Sequence, residues 1–116
     1  MQVHNQRIVF TDGDAMTTLP DFASFRQTAL DQGFDEVSER TWAPGQTLAT
    51  HSHPFAARGL VVRGEMWLTI AGDPQHLQLG DRFELARDEP HAERYGAEGT
   101  TYWVARRHQP RADAED

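Results

Sequence analysis

The alternation of apolar and polar residues after residue 33 is the clearest structural signal in this chain. Short stretches of alternating character, rich in β-branched and aromatic residues, are separated by Gly, Pro and Asp at short and regular intervals. Such stretches indicate β-strands joined by hairpins or tight corners, and a long series of them indicates an antiparallel sandwich or barrel. The predicted strands are residues 36–42, 46–53, 60–63, 65–71, 76–79, 82–86, 91–95 and 100–106.

The pattern before residue 33 is different. Residues 6–10 are apolar and partly β-branched, and the turn-forming residues Thr-Asp-Gly-Asp follow them, so we predict a short first strand there. Phe22, Phe25 and Ala29 then recur at helical spacing, and Gly33 suits a C-terminal cap. This spacing predicts a helix over residues 21–32.

The length of the chain suits a single fold. A domain of 116 residues builds one hydrophobic core. We expect residues 1–41 to form an N-terminal strand, the helix and a first barrel strand, and residues 42–107 to form the core of the barrel. Residues 108–116 are polar and lack periodicity, so we expect a disordered tail.

Composition and charge exclude several functional classes. The chain has no cysteine, which excludes disulfides and thiolate metal sites, so a bound metal needs nitrogen or oxygen ligands. It has no lysine either, which excludes a lysine Schiff base. A net charge of −7 opposes binding to the phosphate backbone of nucleic acids. We therefore expect small-molecule partners and no nucleic acid.

The distribution of apolar residues also bears on location. A run such as Leu60-Val61-Val62 is far shorter than the roughly 20 residues that cross a bilayer as a helix. Residues 1–10 lack the charged-then-apolar layout of a secretory signal. We predict a cytoplasmic protein without membrane contact.

Three histidines stand where a metal site can be assembled. His51 and His53 are one residue apart, and in a strand both side chains would project from one face. His91 follows Pro90 at the start of a later predicted strand. Neutral imidazoles bind borderline transition metals, and three of them leave coordination positions open for water or substrate. A His-x-His pair alone is weak evidence, because exposed strands carry such polar alternation by chance.

The spacing of these histidines from glycines resembles the two motifs of the cupin superfamily. Gly45 precedes the His-x-His pair by the family's five intervening residues, and Gly64 closes the first motif. In the second motif a histidine follows the opening glycine by eleven positions, as His91 follows Gly80. The resemblance covers residues 42–107. It implies an all-β fold, the double-stranded β-helix or jelly-roll-type barrel of a small single-domain cupin, with the N-terminal strand and helix outside it.

The glutamate of the first cupin motif is missing here. Its slot falls on Ala57 or on Arg58, depending on the number of residues counted after His53, and neither supplies a carboxylate. The resemblance therefore implies a three-histidine site of the kind seen in some cupin dioxygenases, with His51, His53 and His91 holding a divalent transition metal. The choice among Fe, Zn, Ni, Mn and Cu stays open, because imidazoles suit all of them.

Three further residues are candidates for chemistry beside such a metal. Glu93 and Tyr95 share a face with His91 if their strand is regular. Glu93 is thus a candidate catalytic residue that would act as a general base. Its alternatives are a fourth metal ligand, a hydrogen-bond partner of a ligand, or an exposed carboxylate without a role at the site. Tyr95 is a candidate substrate contact. Arg58 is another, because a guanidinium can grip a carboxylate through paired hydrogen bonds; a surface ion pair is its alternative.

The resemblance leaves the reaction open, because a fold does not determine a function. It implies an oxygenase- or isomerase-type enzyme, dioxygenase-like in its use of the metal, that acts on a small chelating compound such as a β-diketone, hydroxy acid or phenolic. One alternative is a non-catalytic domain that binds or senses a metabolite, and another is a barrel whose histidines are structural remnants. We also expect a homodimer, because an unpaired sheet edge invites association.

Overall fold

Two long antiparallel strands organise the fold. The computed structural model describes residues 6–10 and 16–108, and within them all strand pairs are antiparallel. The predicted all-β class is confirmed. The elements are β1 (Gln6–Phe10), β2 (Met16–Pro20), α1 (Phe22–Asp31), β3 (Glu36–Trp42), β4 (Thr47–His51), β5 (Ala56–Ile70), β6 (Asp73–Leu77), β7 (Arg82–Leu85) and β8 (His91–Arg107).

The main sheet is built on the pairing of β5 with β8. Its hydrogen-bonded path runs β3-β8-β5-β6, while β4 also pairs with β8 and β7 also pairs with β5. The register between β5 and β8 shifts between Val61 and Arg63 and again between Gly64 and Met66. Such irregularities bend a strand. The main sheet therefore curves around an apolar interior, and β1 and β2 form a separate two-stranded sheet.

The structure joins strands that the sequence separates. Residues 60–63 and 65–71 belong to the single strand β5, and residues 91–95 and 100–106 belong to β8. Gly64 and Gly99, at φ of +75° and +82°, lie inside these strands. A positive φ changes the direction of the backbone without ending the ladder, so a glycine in the sequence does not tell a bend from a turn.

Two other boundaries differ from the prediction. The strand β2 was not predicted, and β6 begins at Asp73 rather than at residue 76. Ala71 and Gly72, with φ of 54° and 79°, form the turn between β5 and β6 by themselves. Two consecutive residues with positive φ make the tight hairpin turn that matches the twist of the strands, so Asp73 and Pro74 are free to start the next strand.

Side chains alternate between two apolar clusters along β5 and β8. Ala57 and Val61 on β5, with Tyr102 and Val104 on β8, point into the interior of the curved sheet. Their neighbours in the sequence point to the opposite face, where they pack against α1. This outer cluster comprises Leu19, Phe25, Ala29, Phe34, Leu60, Trp103 and Ala105.

The helix lies on the outer face of the sheet, as the sequence analysis expects. Asp21 caps its N-terminus by accepting a hydrogen bond from the Ser24 backbone N–H at 2.8 Å. The ring of Phe22 meets the ring of Trp103 edge-on at 5.4 Å between centroids. With ten residues, α1 is too short to cross a membrane, and no other part of the described chain forms a helix that could do so.

Most of the predicted tail lies outside the described residues, which end at His108. The backbone N–H of His108 donates a hydrogen bond to Asp35 Oδ2 at 2.6 Å, and its Nε2 lies 2.7 Å from Glu36 Oε1. The start of the predicted tail is thus hydrogen-bonded to the beginning of β3.

Candidate metal centre

The three predicted histidines come together beside the interior cluster. His51 at the end of β4 and His91 at the start of β8 are register partners, which sends both side chains to one face of the sheet. His53 lies beyond β4, so the backbone after the strand positions it rather than strand periodicity. The ring centroids lie 4.4 Å (His51 and His91), 4.8 Å (His51 and His53) and 5.3 Å (His53 and His91) apart. One nitrogen from each ring lies within 4.8 Å of the other two.

Backbone carbonyls set the tautomers of two of these rings. Nδ1 of His51 lies 2.7 Å from the carbonyl oxygen of Ala49, and Nδ1 of His91 lies 2.9 Å from that of Glu89. A carbonyl oxygen only accepts hydrogen bonds, so each Nδ1 carries the proton and each Nε2 keeps a free lone pair. Metal-bound histidines are held in the same way by a second hydrogen bond. The donor set therefore fits a divalent transition metal.

His53 is held in the neutral form that a metal requires. Burial lowers the pKa of His53, and its electrostatic interactions with His51, His91 and Arg106 lower it further, while Glu93 opposes them. The ring also stacks on Phe55 at 4.7 Å between centroids with an interplanar angle of 9°. Stacking limits the rotation of the imidazole, so the ring is oriented before a ligand binds.

The first prediction concerns this protonation in the metal-free protein. We expect His53 to take up its proton below the ordinary value of 6.5 when its imidazole signals are followed by NMR over pH. Glu93→Gln should lower this pKa further, because Glu93 is the group that raises it. Since the folded-state pKa is the lower one, this residue should reduce the free energy of unfolding as pH falls below 6.5. A pKa above the ordinary value would contradict the prediction.

Glu93 is buried beside the histidines rather than exposed. It is 8% exposed, and its Oε2 lies 3.5 Å from Nε2 of His91 and 3.7 Å from Nε2 of His51. These distances exceed those of normal hydrogen bonds. Two ligands that share one ion at about 2.1 Å are themselves roughly 3 to 3.5 Å apart. The carboxylate oxygen and the two nitrogens therefore surround a space of the size that an ion occupies.

Two tyrosines hold the other oxygen of Glu93. The hydroxyls of Tyr95 and Tyr102 both donate to Oε1, the latter at 3.3 Å. Burial raises the pKa of Tyr102 to about 12, with a contribution from the negative charge of Glu93, and burial also raises the pKa of Tyr95. Both hydroxyls therefore stay protonated and remain donors. With Oε1 held by two hydrogen bonds, Oε2 is directed toward the histidines.

Tyr95 lies beside Glu93, and its predicted contact with a substrate stays a prediction. It is 1% exposed, and its ring stacks on Trp42 at 5.0 Å between centroids. Its hydroxyl contacts Glu93, so the structure makes it a residue that positions the carboxylate. The sequence analysis missed Tyr102 in this role. The available signal was the alternation of β8, which directs Tyr102 to the same face as Val104.

The two candidates for the missing glutamate slot point in opposite directions. Ala57 faces the interior, whereas Arg58 faces the outside of the sheet. There its guanidinium hydrogen-bonds Gln32, lies 3.3 Å from Glu84 Oε2 and lies over the Phe34 ring at 4.9 Å. The cavity that Arg58 lines, of about 360 Å³, has none of the three histidines in its wall. The structure thus brings Arg58 into a surface ion pair and not to the site.

A family model matches the region that contains these residues. Residues 34–110 match the family described as the AraC-like ligand binding domain. An uncharacterized HTH-type transcriptional regulator of Haemophilus influenzae is 34% identical over 73 residues, which make up 60% of this chain and 24% of that protein. The chain therefore spans about a quarter of the length of this curated relative.

Solved structures of low sequence identity share the fold, and the likeness shows the fold alone. An RmlC-like cupin protein from Desulfovibrio desulfuricans matches with a TM-score of 0.54 and 23% identity, over 67% of this chain and 85% of that one. A mutant of salicylate 1,2-dioxygenase from Pseudoaminobacter salicylatoxidans matches with a TM-score of 0.56 and 22% identity, over 60% of this chain and 21% of that one. Because the family match extends over more than half of the sequence, the chain belongs to the AraC-like ligand-binding domain family and is a small cupin domain.

Proposed function

We propose that this chain is a metal-dependent enzyme of the oxygenase or isomerase type that acts on a small chelating organic substrate. The observation that carries the proposal is the convergence of metal-binding nitrogens on a buried carboxylate. Glu93 Oε2 lies within 3.7 Å of Nε2 of both His51 and His91. A carboxylate held so near can bind a metal or move a proton, and catalysis of the proposed type needs a group that moves protons.

His51, His53 and His91 would hold the metal. A divalent ion supplies Lewis acidity toward the oxygens of a chelating ligand. Three neutral imidazoles add no charge, Ala57 adds no carboxylate from the family's usual slot, and Glu93 compensates only one of the two positive charges of such an ion. This charge balance favours a substrate that is itself an anion or becomes one.

Glu93 would carry the proton. Its Oε1 is occupied by the hydroxyls of Tyr95 and Tyr102, so the oxygen that can accept a proton is Oε2. A substrate bound at the histidines would place its acidic C–H or O–H next to this oxygen. Glu93 would then take the proton at Oε2 and return it to the product from the same position.

The second prediction tests this role. Glu93→Gln keeps the size of the side chain but removes its basicity, so turnover should fall by about 10²- to 10⁴-fold while the metal stays bound. The assay follows oxygen uptake and isomer formation by metal-reconstituted protein with β-diketones, hydroxy acids and phenolics. Glu84→Gln is the matched control, since Glu84 is exposed on β7. Unchanged turnover in the Glu93 variant would contradict the role as a base, and loss of the metal would make Glu93 a ligand instead.

A second candidate function is the sensing of a metabolite without catalysis. The family match to a ligand-binding domain and the similarity to part of a transcriptional regulator favour it. The same substrate panel separates the two functions. Micromolar binding without turnover of any compound would favour sensing, and turnover would favour the enzyme.

The proposal includes a cytoplasmic homodimer. Strands β3 and β6 end the hydrogen-bonded path of the main sheet, so each has an edge without a strand partner in the described part of the chain. Pairing or covering such an edge with a second copy is a common solution.

A further inference from the structure

Arg106 occupies an inward-facing position at the end of β8. Tyr102 and Val104, four and two residues earlier, belong to the interior cluster, and the intervening Trp103 and Ala105 belong to the outer cluster. The alternation of the strand therefore directs Arg106 inward. No role for Arg106 was predicted from the sequence.

Contacts connect Arg106 to the histidines. Its guanidinium carbon lies over the ring of Phe55, 4.8 Å from the centroid. That ring also stacks on the imidazole of His53 at 4.7 Å between centroids, and it meets the ring of His108 at 4.9 Å. The positive charge of Arg106 also acts on His53, where it contributes to the lowered pKa. Arg106 thus lies one aromatic ring away from a metal ligand.

The guanidinium of Arg106 has hydrogen-bonding capacity that no described residue uses. Its Nε is buried without a hydrogen-bond partner. Its register partner Glu36 accepts instead from Nε2 of His108, at 2.7 Å. Within the described residues, Arg106 forms no ion pair. The positive charge of Arg106 helps to lower the pKa of Glu36, so an opposite charge is close, but the Nε stays a buried donor, which is costly unless a ligand satisfies it.

Position 57, where the family's glutamate is missing, lies beside this arginine. Ala57 is the register partner of Arg106 on β5, so the two side chains leave neighbouring strands on the same face. A glutamate at position 57 would place its own carboxylate beside the guanidinium. With alanine there, position 57 supplies no carboxylate to Arg106.

We propose that Arg106 selects substrates that carry a carboxylate next to their chelating oxygens, by binding that carboxylate through Nε and a terminal nitrogen. The inference rests on the proposed function, since it takes the chelating oxygens to lie at the histidines. Side-on pairing of this kind is bidentate and charge-assisted, which gives geometric selection as well as affinity. The substrate class is therefore small acids with a second pair of metal-binding oxygens, such as acylpyruvates.

The experiment compares two chelators that differ by one carboxylate, acetylacetone and acetopyruvate. Binding of each chelator to the zinc-reconstituted protein is measured by calorimetry. We expect acetopyruvate to bind about 10- to 100-fold more tightly to the wild type, and Arg106→Met to reduce this preference to about twofold without changing acetylacetone binding. Arg107→Met is the matched control. Its guanidinium lies 5.3 Å from the centroid of Phe34 on the outer face, so the preference should survive.

The outcomes separate this inference from the proposed function. Equal binding of the two chelators by the wild type, or a preference that survives Arg106→Met, overturns the role of Arg106 while leaving a metal enzyme possible. If the protein takes up no zinc, the proposed function fails. The role of Arg106 is then tested in the metal-free protein by following the Nε–Hε NMR signal of its side chain. A shift of that signal with millimolar acetopyruvate, and none with acetylacetone, supports it. Absence of a shift overturns it.

Discussion

Replacing His91 with alanine is expected to abolish stoichiometric metal binding. His91 is 2% exposed, its Nδ1 is held by the Glu89 carbonyl, and its Nε2 faces the space shared with His51 and Glu93. Losing a partner that merely orients a ligand costs about 10- to 100-fold in affinity, and losing the ligand itself should cost more. Metal content after reconstitution and dialysis, measured by mass spectrometry on protein without an affinity tag, should fall from about one equivalent to below roughly a tenth.

His76→Ala is the matched control for metal binding. His76 lies on β6, stacked on Trp67 and hydrogen-bonded to Glu65, and it is not among the clustered histidines. This variant should keep its metal. Thermal unfolding of both metal-free variants checks that the loss does not come from misfolding. If the wild type itself holds less than about a tenth of an equivalent after reconstitution, the histidines are structural remnants and the proposed enzyme fails.

Replacing Gly64 with alanine is expected to destabilise the fold more than the same change at Gly72. Gly64 has φ of +75°, and an added Cβ would lie 2.1 Å from the carbonyl oxygen of Gly99. That oxygen belongs to the backbone of β8, so it moves only if the pairing of β5 with β8 opens. The conformational cost alone is roughly 1 to 2 kcal/mol, and with the clash we expect a loss above about 4 kcal/mol.

Gly72→Ala separates the clash from the conformational cost. Gly72 has φ of +79°, and an added Cβ there would meet nothing within 4 Å. The free energy of unfolding of this control should fall only by the conformational cost, about 1 to 2 kcal/mol. Urea unfolding of both variants measures the difference. Small domains are stable by about 5 to 15 kcal/mol, so the Gly64 variant should lose a large part of its stability, and equal losses in the two variants would refute the clash.

The position of the three clustered histidines could be predicted, because the relevant information is local. The His-x-His pair, the glycines around it and the distance from Gly80 to His91 are all features of short stretches. The structure confirms that the three imidazoles cluster. It also supplies a reason for the closing glycine of the first motif, because Gly64 lies where β5 bends against the backbone of Gly99.

Which residues surround the three histidines was harder to predict from the sequence. Counting from His53 left the empty glutamate slot at Ala57 or Arg58, and a difference of one residue in a strand reverses the face. Only the pairing of β5 with β7 and β8 decides that Ala57 faces inward. The same pairing sends Arg58 outward and brings Arg106, from the far end of the chain, toward the site.

By itself, the sequence determined an antiparallel β protein with one outer helix and a cluster of three histidines, because periodicity, capping and motif spacing depend on neighbours along the chain. The tertiary structure decided that Glu93 is buried under Tyr95 and Tyr102, and that Gly64 and Gly99 bend two long strands instead of separating four short ones. These features depend on which strands pair and in which register. Burial, charge and the direction of a side chain follow from that pairing, which no local pattern specifies.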